Sequence, residues 1–440
     1  MKTRDIDSKI FGIALPAVVA NITIPLLGLL DVGIAGHLGN ATLIGAIAVG
    51  TMVFNLIYWN FGFLRMGTSG VTAQAYGSGD RRRQALVLQH VLLLGVGIGV
   101  AVTALQWPLK TAALWLIGGT PEVNELAGRY VDVCVWGAPA ILAMMGIKGW
   151  FLGMQDSRSP MLISIGVNVL NVAFSLVAVY GLGLGFVGIA AGTVVAEYAG
   201  LVLSLVLLWR RQRWVLGWLD WRKAVAMRGD RQLSGGNRDI FVRSFLMMLI
   251  NLIFLSVGAR SGDVVLAVNT LIMQMFTLYS YFMDGIAFAG EALVGKAVGQ
   301  RDEAGLGLCV RRLMWWGGVV MTLFAMAYAA FPRGIFSLLT TDGTVVDAAL
   351  AHRWWCLCIP LAGMAAFVWD GVFIGMTRTG GMLLSAALAF VVFVAVCLFA
   401  PAQMGNDGLW LAFVLHLAVR GAVQTVLYVK WRHRHYGLWL

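Results

Sequence analysis

The sequence predicts an all-α integral membrane protein: twelve transmembrane helices in two six-helix lobes, related by a pseudo-two-fold axis along the membrane normal. Three observations carry that prediction. Hydrophobic residues make up 60% of the 440 and charged residues only 12%, with a mean hydropathy of +0.82. The apolar residues fall in long runs between short polar loops. The chain also repeats itself at a constant offset.

A soluble chain of this length has too little interior for so much apolar surface, so the lipid bilayer must be its solvent. The net charge of +11 would suggest nucleic acid in a soluble protein. In a membrane protein the same excess marks the loops that stay inside, and no nucleic-acid partner is expected. The five cysteines, Cys134, Cys309, Cys356, Cys358 and Cys397, lie in apolar runs. The spacing of Cys356 and Cys358 fits neither a zinc site nor a redox pair. The six histidines form no metal pattern, so neither metal nor cofactor is expected. The N-terminal MKTRDIDSKI leads into an apolar run too long for a signal-peptide core, and the first span is expected to be retained.

A spanning helix needs about 20 apolar residues. Runs of that kind lie at 11–36, 42–75, 84–108, 128–153, 160–181, 186–209, 239–260, 264–297, 306–331, 347–375, 381–402 and 407–430. One set of loops is basic. It carries Lys2, Arg4 and Lys9, then Arg81, Arg82 and Arg83, then Arg158, Arg210, Arg211 and Arg213, and later Lys296, Arg301, Arg378 and the tail KWRHRH. The opposite loops HLGNAT, YGLGLG and PAQMGND have no Lys or Arg. The positive-inside rule therefore places both termini in the cytoplasm, in a multi-pass protein of the plasma (inner) membrane.

The expected division is an N-lobe over 1–209, a basic cytoplasmic linker over 210–238 and a C-lobe over 239–440. In the linker, Trp214, Trp218 and Trp221 recur beside basic residues. Either an amphipathic helix lies there on the membrane surface, followed by a polar connector, or the whole segment is a solvated connector. The repeat supports the division. AYGSGD at 75–80 returns as AVGQRD at 297–302, and GWFLGM at 149–154 returns as GVFIGM at 371–376. Both offsets are 222 (297 − 75 and 371 − 149). Six spans per half is even, so the halves enter the membrane the same way, as in transporters built from parallel repeats.

Charges inside the membrane are costly and are usually paired, facing a cavity, or functional. They are Asp31 in span 1, Arg65 in span 2, Lys148 in span 4, Glu197 in span 6, Asp284 and Glu291 in span 8, Asp370 in span 10 and Arg420 in span 12. Asp31 has no basic residue at its level in the first half. It suits a group that titrates during a transport cycle, or one that awaits a cationic substrate. Pro16 and Pro25 give span 1 the parts for a bend. Asn168, Asn171 and Ser175, at i, i+3 and i+7, share one face of span 5 and form a polar stripe, facing either a cavity or a neighbouring helix. The offset of 222 maps Lys148 onto Asp370 and Arg65 near Asp284 and Glu291. Ion pairs between the halves would make an inner gate or a second ion site; pairing within each half is the alternative.

The stretches ALPAVVANI with Pro16, LLDVGIAGHLG with Asp31, GVTAQAYGSGD, GWFLGMQDSRSPM, NVLNVAFS, AEYAG, YFMDGIAFAGEALVGKAVGQRD and DGVFIGMTRTGG run in order along the whole chain. In that order, with the twelve-span repeat, the chain resembles the multidrug and toxic compound extrusion (MATE) family, most closely its DinF-like branch. The resemblance implies a central V-shaped cavity and export of lipophilic, often cationic compounds against protons or sodium ions. It implies that Asp31 is the coupling carboxylate, that Pro16 is where span 1 bends, and that Asn171 supports the carboxylate. Many relatives have an aspartate where this chain has Ser175, so Asp31 would titrate alone, which favours protons. The expected protein is thus a monomeric secondary transporter and not an enzyme. A sodium-coupled exporter and a flippase for a lipid-linked precursor are the rivals.

Overall fold

In lipid, every backbone N–H and C=O must find a partner within the chain, so apolar runs of this length fold as helices. The computed structural model describes residues 3–37 and 41–436, with the side chains at 3, 24, 26–33, 35–37, 41, 231, 435 and 436 outside that description. Among the described residues there is no strand, and twelve stretches are long and apolar enough to cross a membrane, as expected. The chain divides into two compact units, Val19–Asn237 and Met1–Val18 with Arg238–Leu440. Both divisions fall inside long helices.

The first unit takes α1 (Thr3–His37) from residue 19 onward. The second span is α2 (Ala41–Tyr58) and α3 (Phe63–Gly77), joined through a tighter turn at Trp59–Gly62. Then come α4 (Arg81–Ala104), a short α5 (Gln106–Ile117), and the fourth span, α6 (Pro121–Cys134) with α7 (Ala138–Gly153). The unit continues with α8 (Arg158–Leu176), α9 (Gly185–Arg211), and a six-residue α10 (Trp221–Ala226).

The second unit holds the first half of α1, most of α11 (Arg231–Arg260), and α12 (Asp263–Gln300). It continues with α13 (Glu303–Ala330), α14 (Pro332–Leu339), α15 (Gly343–Ala351), α16 (Arg353–Gly375), α17 (Thr379–Met404) and α18 (Asn406–Tyr436). Large apolar side chains such as Trp115, Leu338 and Phe399 stand exposed on the two units, as lipid-facing residues do.

The repeat read from sequence is repeated in atomic detail. After α3, Asp80 N–H donates to Ala75 O at 3.0 Å, and after α12, Asp302 N–H donates to Ala297 O at 3.0 Å. Each aspartate then caps the next helix: Asp80 accepts from Arg83 N–H and Asp302 from Gly305 N–H, both at 2.8 Å. At the ends of α7 and α16, Gln155 and Thr377 both take positive φ, of 64° and 53°. The crossing helices approach through matched glycines. A Cβ on Gly149 would overlap the carbonyl oxygen of Arg65, and one on Gly371 that of Ala287. At Gly153 it would meet Ser69 O at 2.7 Å, and at Gly375 it would meet Glu291 O at 3.0 Å. Every one of these pairs is separated by 222 residues.

The 210–238 segment is folded rather than a free connector. Val215, Ala224 and Leu233 are buried, and Trp214 packs 6.5 Å from Trp150 in the core of the first unit. Gln89 ties it down twice, donating to Trp218 O and accepting from Asp220 N–H. Arg83 donates to Asp230 and Gln232. Helix α11 begins at Arg231, so the polar end of the segment is the first turn of a spanning helix. The outer face, with Leu216, Trp218, Leu219 and Trp221, stays exposed.

Candidate functional site

In the first unit, α8 carries the polar stripe. Asn168 Nδ2 donates to Thr23 O of α1 at 3.0 Å. Ser175 Oγ donates to Ile189 O of α9 at 3.4 Å. Between them, Asn171 Nδ2 donates to Thr193 Oγ1 at 3.0 Å, and that hydroxyl donates to Ile189 O at 3.1 Å. The Thr193 proton is therefore spent, and its oxygen can only accept from Asn171. This fixes the amide's orientation and leaves Asn171 Oδ1 as the buried atom without a partner among the described residues. The stripe thus works largely as ties between helices. The close approach comes from small residues on α9: a Cβ on Gly192 would come 2.5 Å from Ser175 N. Asp31 lies in α1, but its side chain is outside the described residues. Pro16 and Pro25 both sit within the same helical stretch.

Elsewhere in this unit, Glu197 and Lys148 are half-buried and feel each other's charge. Glu197 packs against Gly137, whose Cβ would lie 3.6 Å from Glu197 Cγ. Arg65 is half-buried on α3, with its carbonyl at the Gly149 crossing next to Lys148.

The second unit builds a denser constellation. Asp370 on α16 is buried, and both of its oxygens are engaged. Oδ2 accepts from Arg243 of α11 and, at 2.6 Å, from Arg420 of α18. Oδ1 accepts from Gln424 of α18 at 2.9 Å. Arg243 and Arg420 are themselves only 8% and 5% exposed, so the carboxylate joins three helices from inside. Asp284 on α12 lies within electrostatic reach of Arg420. Glu291 is buried at the Gly375 crossing.

Sequence reasoning offered Lys148 of the other half as the partner of Asp370. The partners found are Arg243, Arg420 and Gln424, all from its own unit. Arg243 and Gln424 were not singled out. Gln424 carried a signal, standing four residues after the intramembrane Arg420 on one helix face. Arg243 carried less, because it lies near the basic end of its span, where arginine is ordinary.

A repeated core, a polar seam behind the first span and an internally neutralised carboxylate describe a membrane machine with no assembled reaction centre among the described residues. Its sequence can be placed. The family model MatE matches residues 16–177 and again 240–399, the two copies of the repeat. The chain belongs to the MatE family. It is 36% identical to DNA damage-inducible protein F of Escherichia coli (strain K12), over 98% of this chain and 94% of that one. It is 24% identical to the probable multidrug resistance protein NorM of Acinetobacter baylyi, over 97% of this chain and 96% of the other. Among solved structures, MATE in the bent conformation superimposes with a TM-score of 0.83 at 20% identity, covering 96% of this chain and 94% of that one. MATE in the straight conformation gives 0.80 at 19%, covering 96% and 95%. These structural matches show the fold. Members of the family are membrane transporters of small molecules, not enzymes.

Proposed function

We propose that this MatE protein exports amphipathic, cationic compounds by antiport against protons, with Asp31 carrying the proton. The observation that supports proton coupling most is Asn171 Oδ1, a buried acceptor with no partner among the described residues. Spans 1 and 5 run in the same direction, because consecutive spans alternate. Asn168 meets α1 at Thr23. Counting outward from that contact at about 1.5 Å per residue puts Ser175 within one residue of the level of Asp31, and Asn171 about 7.5 Å below it, nearly one and a half turns. An amide oxygen there seeks a donor. A protonated carboxyl supplies one and an ionised carboxylate does not. Asn171 therefore favours the protonated state of Asp31, while a cationic substrate favours the ionised state. Opposed preferences of that kind are what exchange at one site requires.

In the outward-facing state Asp31 takes a proton and releases substrate. In the inward-facing state it gives up the proton and accepts substrate. A sodium-coupled cycle would need several oxygen ligands around one ion, and Ser175 stands where a second carboxylate would have served. The protein acts as a monomer in the inner membrane, with the basic loops and both termini in the cytoplasm and no cofactor beyond the coupling ion.

The test is transport of a fluorescent lipophilic cation by purified protein in proteoliposomes, comparing wild type with Asp31→Asn. Uptake driven by an imposed pH gradient, and abolished in the variant, is the expected result. Uptake driven by a sodium gradient alone would refute proton coupling. An unaffected variant would refute the role of Asp31.

A further inference from the structure

Near the Ser261–Gly262 turn, α11 and α12 line a half-open cavity of about 250 Å³ within the second unit. None of the side chains lining it is ionisable. Its apolar wall includes Phe254, Leu255 and Met273. Its polar wall includes Asn251, Asn269 and Thr270. Thr270 spends its hydroxyl proton on Leu266 O, and Asn251 spends Nδ2 on Met247 O, so both keep oxygen lone pairs for a ligand.

Asn269 is the decisive residue. It is 3% exposed, and its Oδ1 accepts from Trp410 Nε1 at 2.8 Å. An indole nitrogen can only donate, so the amide cannot be the other way round. The Trp410 ring is held edge-on by Phe254 and Phe413, at 4.8 and 5.7 Å between centroids. Nδ2 is consequently the remaining atom, and it is a buried donor with no partner among the described residues. It lies beside Gly258, where a Cβ would come 2.9 Å from it. Leaving such a donor unmet is costly, and a site that keeps one has an acceptor to offer it. By the offset of 222, Gly258 falls on Gly36 and Asn251 on Leu29, either side of Asp31. The same stretch of the repeat carries a carboxylate, Asp31, in one half and a neutral amide, Asn251, in the other.

We propose that this cavity is a second ligand site, taking the neutral, oxygen-bearing part of an amphipathic molecule. A carbonyl or ether oxygen accepts from Asn269 Nδ2, and the attached ring or chain packs on Phe254, Leu255 and Met273. The site is independent of proton coupling at Asp31.

Benzophenone is the probe, because it is neutral, carries the accepting carbonyl and reports its own position. On irradiation the excited ketone takes a hydrogen atom from a nearby C–H and joins that carbon, becoming a tertiary alcohol. Full-length protein in detergent is irradiated over a range of benzophenone concentrations, and adducts are mapped by mass spectrometry. Labelling at Met273 should saturate, whereas labelling at the exposed Met326 should rise in proportion to concentration. Gly258→Ala sets a methyl group 2.9 Å from Nδ2, which pushes on the Asn269 amide and blocks its free donor, while alanine suits a helix better than glycine. It should lower sub-saturating Met273 labelling about ten-fold, the loss expected for one hydrogen bond. Leu255→Trp, which fills the cavity, should do the same, and Asp31→Asn, although it abolishes transport, should leave Met273 labelling unchanged. Non-saturating labelling at Met273, or saturable labelling that neither cavity variant lowers, would overturn the proposal.

Discussion

Asp370→Asn should destabilise the second unit severely, and the structure says by how much. The carboxylate accepts from two buried guanidiniums and one buried amide. Asparagine keeps the shape but removes the charge. It also replaces one of the two acceptor oxygens with a donor, so one of the three hydrogen-bond donors is turned against an N–H group. Removing one partner of a buried ion pair costs about 3–5 kcal/mol, because the other charge is left uncompensated. Arg243, Asp370 and Arg420 are all buried, so water can do little to soften this. The free energy of unfolding, measured by titrating detergent-solubilised protein with SDS, should fall by about that amount. Arg243→Gln combined with Asp370→Asn removes a cation with the anion, leaving Asp284 in reach of Arg420. The double variant should lose less than the two single losses added together, with a coupling of about 0.5–3 kcal/mol. If Asp370→Asn unfolds within about 0.5 kcal/mol of wild type, the cluster does not hold α11, α16 and α18 together. If it also abolishes transport, Asp370 belongs to the transport cycle instead.

Gly371→Ala and Gly149→Ala should each cost about 1–3 kcal/mol or more, since the new methyl group meets a backbone carbonyl that cannot swing aside. Gly318→Ala, with open space around it, should be neutral or slightly stabilising, and size-exclusion profiles after mild heating would separate the three. At the docked 210–238 segment, the side chain and backbone N–H of Lys223 hydrogen-bond Asp220 and hold its carboxyl below the ordinary value. A lowered folded-state value means that this contribution is present at neutral pH and is lost as the pH falls below about 4. Limited trypsin cleavage after Arg222 or Lys223, in protein pre-incubated across that range, should rise at the acid end. It should also rise at neutral pH in Asp220→Asn, and equal cleavage of wild type and variant would count against the contact.

Much of this protein was legible in its residues. Span number, the two-fold repeat and the family follow from run length and from local words such as AYGSGD and GWFLGM, which need no knowledge of neighbours. The words even encode the same turns, because a helix end, its positive-φ residue and its capping aspartate are local chemistry. What the residues could not supply was azimuth. Depth along a helix puts Lys148 and Asp370 at comparable levels, but only packing shows which way each faces. Packing gave Asp370 to Arg243, Arg420 and Gln424, and set Glu197 within reach of Lys148. With its basic residues and recurring tryptophans, the 210–238 segment reads equally as a surface amphipathic helix or as a solvated connector. Its docking rests on a few buried contacts, from Val215, Ala224 and Gln89, that no local pattern announces. Asn269 illustrates the limit most plainly: an asparagine in a long apolar run is unremarkable until Trp410, from a helix 141 residues away in sequence, fixes which end of its amide is free.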